Sequence, residues 1–591
     1  MKAIKILLSL AVTALILIFV PSCNLLNDFL NTLNTDCNHI SITDNAIAPS
    51  CTQDGLTEGS HCVLCGKILA EQKAVTALGH TEVIDEASDP GCTSFGYTEG
   101  KHCEICGVVT VKRDLIPALG HNEEIVKERT SATCTDLGFT EKAQCKTCGK
   151  TVKDSSIYIE KHSTLDNKCT VCGFDFSDAD LYKGNYWYDY LGTLENGKNL
   201  QNFYNVLYEE ILTFHTDTSI VVPPKNIKTY GDRKYFLLAP ISYSDYGLTY
   251  DEAYLTYYLI QKDSPLFYWL ENTLWHDKRA GLIWPSCIEE YGIGEDRKKT
   301  NDVVYSAIEE FSYLVATETK SYNIALGYHD AIIDSIDYAY GADEIFVAKP
   351  WTSSIIGVFE QRGVVCEGYA ETLQILLNFS GVENIYCEGS PEEGDGHAWN
   401  LLRLDDGNWY WIDMTLDDKP LPEDEDVATA PYTYFPHGIG YQYFCVNDTQ
   451  YVDLYDGYDS GMYDKTFIKE HESFIPYYGI TFPERSNEIF DLEDILVLRE
   501  TFTVDGCTYA LIGYKKVQLV SIEGHNALTI PESIVYDNIS YEVIAIGALN
   551  ENGTINYAKP ITSDTIVVIV PKSVTYIWKH ALDLVEEVIY N

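Results

Sequence analysis

Residues 363–377, "GVVCEGYAETLQILL", place Cys366 at the entrance to a stretch with helical periodicity. Tyr369, Leu373, Leu376 and Leu377 form an apolar stripe, and Gly381 supplies a C-terminal stop. Cys366 therefore falls at the first turn, where free amide groups and the positive end of the helix dipole favour a thiolate. Gly363 and Gly368 flank it and would let backbone and substrate approach closely. A thiol in this position is a candidate nucleophile, provided that a base and an orienting acid come with it.

Residues 396–418, "GHAWNLLRLDDGNWYWIDMTLDD", offer both. "HAWNLLRL" and "WYWIDMTL" have strand character, joined by Asp405-Asp406-Gly407. A three-residue loop with Gly407 in the left-handed conformation closes such a hairpin and pairs Leu404 with Asn408. Trp399 then faces Asp413, and His397 and Asp413 become diagonal neighbours within hydrogen-bonding reach. Thiolate attack, proton transfer by an imidazole and a carboxylate to orient the ring make a coherent set. Backbone N–H groups at the helix start, that of Cys366 included, are placed to hold an oxyanion.

"GVVCEGYA", "GHAWN" and "WYWIDMTLDD", in this order, resemble the bacterial transglutaminase-like superfamily, and "YQYFCVND" at 441–448 resembles its closing strand. The resemblance covers roughly residues 185–450. It implies a papain-like α+β core with Cys366 as nucleophile, His397 as base and Asp413 as orienting acid. It also implies attack on a carboxamide to give a thioester, then transfer to an amine or to water, with no organic cofactor. The extra valine of "GVVC" departs from the pattern without touching these three residues. Asp417 and Asp418 read as a solvated turn beyond the hairpin, and His329 as a partly exposed helical residue. Cys387 and Cys445 read as core thiols.

At 591 residues the chain exceeds what one core can serve. Upstream, the helical segments around 191–212, 250–263, 300–318 and 324–341 form a lead-in within the transglutaminase-like domain, 180–490. Between residues 37 and 175 the chain repeats itself. "CTQDGLTEGSHCVLCGK" at 51 returns at 92 and 134 with spacing Cys-x10-Cys-x2-Cys, followed by a histidine after 14, 14 and 13 intervening residues. The candidate ligands are Cys51, Cys62, Cys65 and His80, then Cys92, Cys103, Cys106 and His121, then Cys134, Cys145, Cys148 and His162. Three thiolates and an imidazole make a closed shell suited to structural zinc, a staple for units too small to bury a core. An odd number of cysteines per repeat argues against internal disulfides. The phase stays open, because His39 in place of His80 would shift every set by one histidine. His61 and His102 read as outside the shells, and Cys169-x2-Cys172 as a half-site at the array's edge.

At the N-terminus, Lys2 and Lys5 precede an apolar run of 15 residues, Ile6 to Val20, which is short for a membrane span and suits a signal peptide, 1–22. Val20-Pro21-Ser22-Cys23 resembles a lipoprotein signal, implying lipid on Cys23, a linker over 23–36 and an extracytoplasmic, membrane-anchored protein. Residues 498–591 are rich in short strands, and "TIPESIVYDNISYEVIAIGAL" returns loosely as "IVPKSVTYIWKHAL". This resembles the leucine-rich repeats of bacterial surface adhesins and implies a small binding module. Acidic residues outnumber basic ones 89 to 41, a net charge of −48 that repels phosphate backbones and excludes nucleic acid as a partner. The expected partner is a protein or peptide substrate, with cell-wall peptides and host proteins both candidates. The rival expectation is a catalytically silent surface protein that only holds peptide or glycan. Thiol reactivity separates the two.

Overall fold

Each Cys-x2-Cys-Gly run closes a tight turn, because glycine alone accepts the left-handed conformation there without strain. Gly66 (φ +70°) donates its N–H to Cys62 O, and Gly107 (φ +72°) donates to Cys103 O, both at 2.8 Å. The computed structural model describes residues 38–339 (except 232), 349, 351–389, 397–418, 439–447, 483–486, 496, 498, 500–549, 559–562, 565, 567–578 and 580–591. The signal peptide, the linker, Cys23, Cys37, Gly341 and Gly396 lie outside the described residues. The chain separates into two units, Met1–Leu119 and Gly120–Asn591, and the division falls inside the repeat array.

In the first unit, β1 (Ser41–Asp44), β2 (Gly59–Cys62) and β3 (Ile68–Ala70) form an antiparallel sheet with Ser41 opposite Cys62. The pattern recurs in β4 (Glu82–Asp85), β5 (Gly100–Cys103) and β6 (Val109–Val111), with Glu82 opposite Cys103. A second short ladder in each repeat pairs Gly55–Leu56 with Ala74–Val75 and Gly96–Tyr97 with Leu115–Ile116. Their strands are short, and Ile42, Val63, Leu64, Ile68 and Val109 are all exposed.

The second unit opens with the third such sheet, β7 (Glu123–Lys127), β8 (Lys142–Cys145) and β9 (Thr151–Lys153). This part of the array is tied to the helices downstream of it. Tyr313 donates to Ile159 O at 2.9 Å, and the Phe176 ring stacks on Phe379 at 5.8 Å. The helical lead-in comprises α1 (Tyr186–Thr193), α2 (Gly197–Thr216), α3 (Tyr250–Asp263), α4 (Gly294–Leu314) and α5 (Ser321–Ser335). The apolar residues expected along α2, namely Leu200, Phe203, Tyr204, Leu207 and Ile211, are all buried. Thr249 and Glu252 cap α3 reciprocally, and Pro265 follows its end.

Then comes α6 (Cys366–Phe379), closed by Gly381 (φ +71°). Its burial is wider than one stripe: Thr372, Gln374 and Ile375 are enclosed along with the leucines, so α6 is a central helix. It packs on an antiparallel sheet of β10 (Asn384–Gly389), β11 (His397–Arg403) and β12 (Trp409–Ile412), with β11 in the middle. A single turn, α7 (Met414–Asp417), comes directly after β12. One core continues through helices, sheet and C-terminal strands, from Phe176 to Ala581. In that last region β13 (Cys507–Gly513) and β14 (Lys516–Ile522) form a hairpin, β14 pairs in parallel with β15 (Ile539–Ile546), and β15 pairs in parallel with Tyr576–Ile577. A second parallel ladder joins Ala527–Thr529, Val567–Val570 and Glu587–Tyr590.

Candidate functional site

The β11–β12 hairpin has the register that its turn chemistry dictates. Gly407 sits at φ +84°, Leu404 and Asn408 are hydrogen-bonded, and Asn400 pairs with Ile412, Leu401 with Trp411 and Leu402 with Tyr410. The β11–β12 ladder stops at Ile412, so the expected pairing of Trp399 with Asp413 does not extend it. Asp413 instead becomes the N-cap of α7. Its Oδ1 accepts the Leu416 N–H at 3.3 Å, while Oδ2 meets His397 Nε2 at 2.7 Å. That capping bond aims one carboxylate oxygen at the imidazole.

His397 is the first residue of β11, and its ring stacks against Trp399 at 5.6 Å. With Nε2 engaged by Asp413, Nδ1 is the nitrogen left to face the Cys366 thiol, which is near enough to favour the charged form of the ring. Burial disfavours the imidazolium, but the Asp413 charge, its hydrogen bond and the Cys366 thiol outweigh it, raising the His397 pKa to about 10. Cys366 itself is buried at the first position of α6, and no side chain caps that helix. The N–H groups of its first turn therefore have no intrahelical acceptor. The flanking glycines serve the backbone. A Cβ on Gly368 would stand 2.8 Å from Thr352 O, and Gly363 adopts φ +90° beside Ala339. Glu367 and Glu371 of α6 border a cavity of about 470 Å³ that also reaches Lys262 and Arg233; Cys366 and His397 do not line it.

Three expectations about neighbouring residues need correcting. His329 is fully buried, not partly exposed, because α5 is enclosed on nearly all sides. Asp417 is buried rather than solvated, and Asp418 accepts a hydrogen bond from Tyr369. The sequence did carry a signal for His329: "IALGYHDAII" has no polar face on which His329 and Asp330 could sit in water. Cys387 and Cys445 are buried, as core thiols would be.

The repeat cysteines assemble in a phase that joins successive repeats. The strand after each histidine pairs with the strand leading into the next Cys-x2-Cys turn, so each turn meets the histidine upstream of it. His39 Nδ1 lies 3.5 Å from Cys65 Sγ, His80 Nδ1 3.4 Å from Cys106 Sγ, and His121 Nδ1 3.5 Å from Cys148 Sγ. Gly79 N–H bonds Cys51 O, which folds His80 back beside Cys51. One cluster is therefore Cys51, His80, Cys103 and Cys106, while Cys62 and Cys65 gather with His39. Another is Cys134, His162, Cys169 and Cys172, so the expected edge half-site completes a four-residue set. Cys92, at the repeat position of Cys51 and Cys134, is half-buried. A set of Cys51, Cys62, Cys65 and His80 does not form.

The donors suit a tetrahedral metal. Ligand sulfurs about 2.3 Å from zinc lie about 3.8 Å apart, and the Sγ–Sγ distances are 3.7 Å for Cys51–Cys103 and 3.8 Å for Cys134–Cys169. Burial raises the Cys103 thiol pKa, but N–H groups of its turn and His80 overcome this and bring it to about 5. His61 and His102 stay outside these clusters and bond Asp44 and Asp85 at 2.8 and 2.9 Å.

No protein-family model matches the chain, and no curated protein matches it. Among solved structures it is similar to one from Cytophaga hutchinsonii assigned as a cysteine protease, at 21% identity and TM-score 0.16, over 20% of this chain and 37% of the other. It is also similar to a TGase structure at 16% identity and TM-score 0.17, over 26% of this chain and 46% of the other. The chain thus spans less than half the length of either structure.

Proposed function

We propose that the region from 180 to 490 is a transglutaminase-like cysteine acyltransferase or hydrolase acting on a peptide or side-chain carboxamide. The observation that carries this reading is the bond from His397 Nε2 to Asp413, with Cys366 at the start of α6 near enough to favour the charged form of the same ring. In the reaction, Cys366 Sγ attacks the carboxamide carbon with its proton held on His397, and the α6 N–H groups face the oxyanion. The C–N bond breaks, ammonia or an amine leaves with the His397 proton, and a thioester remains. An incoming amine or water then gives its proton to His397 and attacks the thioester, and the thiol is released. Asp413 keeps the ring oriented and steadies its charge throughout.

The three ordered sequence motifs support the same reading. The repeats are proposed to be zinc-stapled, supported by the tetrahedral spacing of their donors, with zinc serving structure and not the reaction. The parallel ladders beyond residue 516 support a leucine-rich-repeat module. The acidic surface and the signal-like N-terminus support an extracytoplasmic protein anchored through lipid on Cys23, with cell-wall or host proteins as substrates. The test is ammonia release from glutaminyl peptides, with hydroxylamine to trap the thioester. Turnover that is abolished in a folded Cys366→Ala variant is the expected result, and turnover retained in that variant would overturn the reading.

A further inference from the structure

His329 takes no part in that reaction, yet it is fully enclosed between two buried carboxylates. Its Nδ1 meets Asp330 Oδ1 at 3.0 Å, and its Nε2 meets Asp417 Oδ2 at 3.3 Å. Tyr441 and Phe444 pack on the ring. The other oxygen of Asp417 accepts the Tyr443 N–H at 3.2 Å, and Tyr443 O accepts the N–H of Asp413 at 3.1 Å. Asp417 O in turn accepts the Gly440 N–H at 2.7 Å. Since Asp413 caps the turn that Asp417 ends, both ends of α7 are fixed by this network. On the far side, Asp330 Oδ2 accepts the Tyr514 N–H at 2.6 Å and the Tyr441 hydroxyl at 2.9 Å. Tyr514 belongs to the turn between β13 and β14.

We propose that His329 is a positioning residue: it clamps Asp330 to Asp417, fixes the α7 turn, and thereby holds the Asp413 carboxylate against His397, with the β13–β14 turn bracing the far end. Two buried carboxylates beside one ring call for a counter-charge. Burial opposes that charge, but the hydrogen bonds of Asp330 and Asp417 and their charges prevail, bringing the His329 pKa up to about 9. The other groups facing the network are Asp418 and Tyr441, with Asp413 and Cys445 beyond Asp417. The C-terminal strands are thus a working part of the catalytic unit.

The inference rests on the proposed roles of Cys366, His397 and Asp413, and one experiment distinguishes the failure of either. In the full chain, the His397 titration is followed by NMR of labelled imidazoles, and the alkylation of Cys366 by iodoacetamide is followed across pH. Wild type is compared with His329→Gln, Asp417→Asn and a control, His215→Gln, which alters another fully buried histidine. In His329→Gln the His397 midpoint is expected to fall by about one pH unit, a tenfold change in its protonation equilibrium, with slower alkylation at neutral pH. Asp417→Asn, which keeps size and hydrogen bonding, should shift the same way by less, and it decides the matter should His329→Gln fail to fold. Folded variants with the wild-type midpoint, or a control that shifts as far, would overturn the clamp. A wild type whose alkylation profile does not follow the His397 titration would overturn the underlying reading instead.

Discussion

Two buried imidazoles set the residue-scale behaviour of the second unit. The pKa of His397 is raised to about 10 and that of His329 to about 9, both above the roughly 6.5 of an unfolded histidine. The stability each contributes is complete below about 6.5 and is lost as pH rises through the folded value. His215 behaves oppositely. Burial and the Arg297 charge lower it to about 3, so its contribution is lost as pH falls below about 6.5. The melting temperature should therefore decline between pH 7 and 10, and less steeply in His329→Gln than in wild type. A His329→Gln slope as steep as wild type would contradict this. The meeting of His397 with Asp413 was legible in the sequence because the hairpin motif that carries both sets their local conformation. Asp417 was not, because its burial depends on helices and loops distant in sequence, and His329 was marked only by the apolar helix around it.

At the scale of elements, the β11–β12 hairpin was readable to the residue pair as far as Ile412, since one glycine in a three-residue loop fixes the register. Gly407→Val puts a branched side chain at φ +84°, and a loss of about 1–2 kcal/mol is expected from the left-handed strain alone, measurable by urea unfolding. At the start of α6, Gly368→Ala would push a methyl group against Thr352 O and Val364. Overpacking of this kind costs about 1–3 kcal/mol, and the shifted first turn should also slow Cys366 alkylation. Alkylation unchanged in Gly368→Ala would mean that the backbone around the thiol is not tightly set. The repeat phase was only half legible. The ligand types and spacings stand in the sequence, but the histidine each turn uses depends on which strands pair, and two-to-five-residue strands announce themselves weakly.

For the molecule as a whole, the Cys/His clusters join one repeat to the next. Cys51 shares its cluster with His80, Cys103 and Cys106, all from beyond its own Cys-x2-Cys turn. Cys51→Ala should therefore weaken metal retention at Cys103 and Cys106 and leave Cys62 and Cys65 unaffected, as read by thiol-protection mapping after graded chelation. Protection lost at Cys62 and Cys65 instead would restore the within-repeat set. The domain limits suggested by composition are softened by packing: a core shared from Phe176 to Ala581 couples the helical lead-in, the sheet and the C-terminal strands. Sequence marks the modules because their patterns differ. It does not mark how they share side chains, since a buried contact between distant segments leaves no local periodicity.

The central claim is that Cys366 is a nucleophile activated by His397. Its most direct test is the rate of iodoacetamide alkylation at Cys366 near neutral pH, wild type beside His397→Ala in the full chain. A wild-type rate at least about tenfold above the variant, with both proteins folded, is the result expected of a thiolate held by an imidazolium. Equal rates in the two proteins would contradict the account.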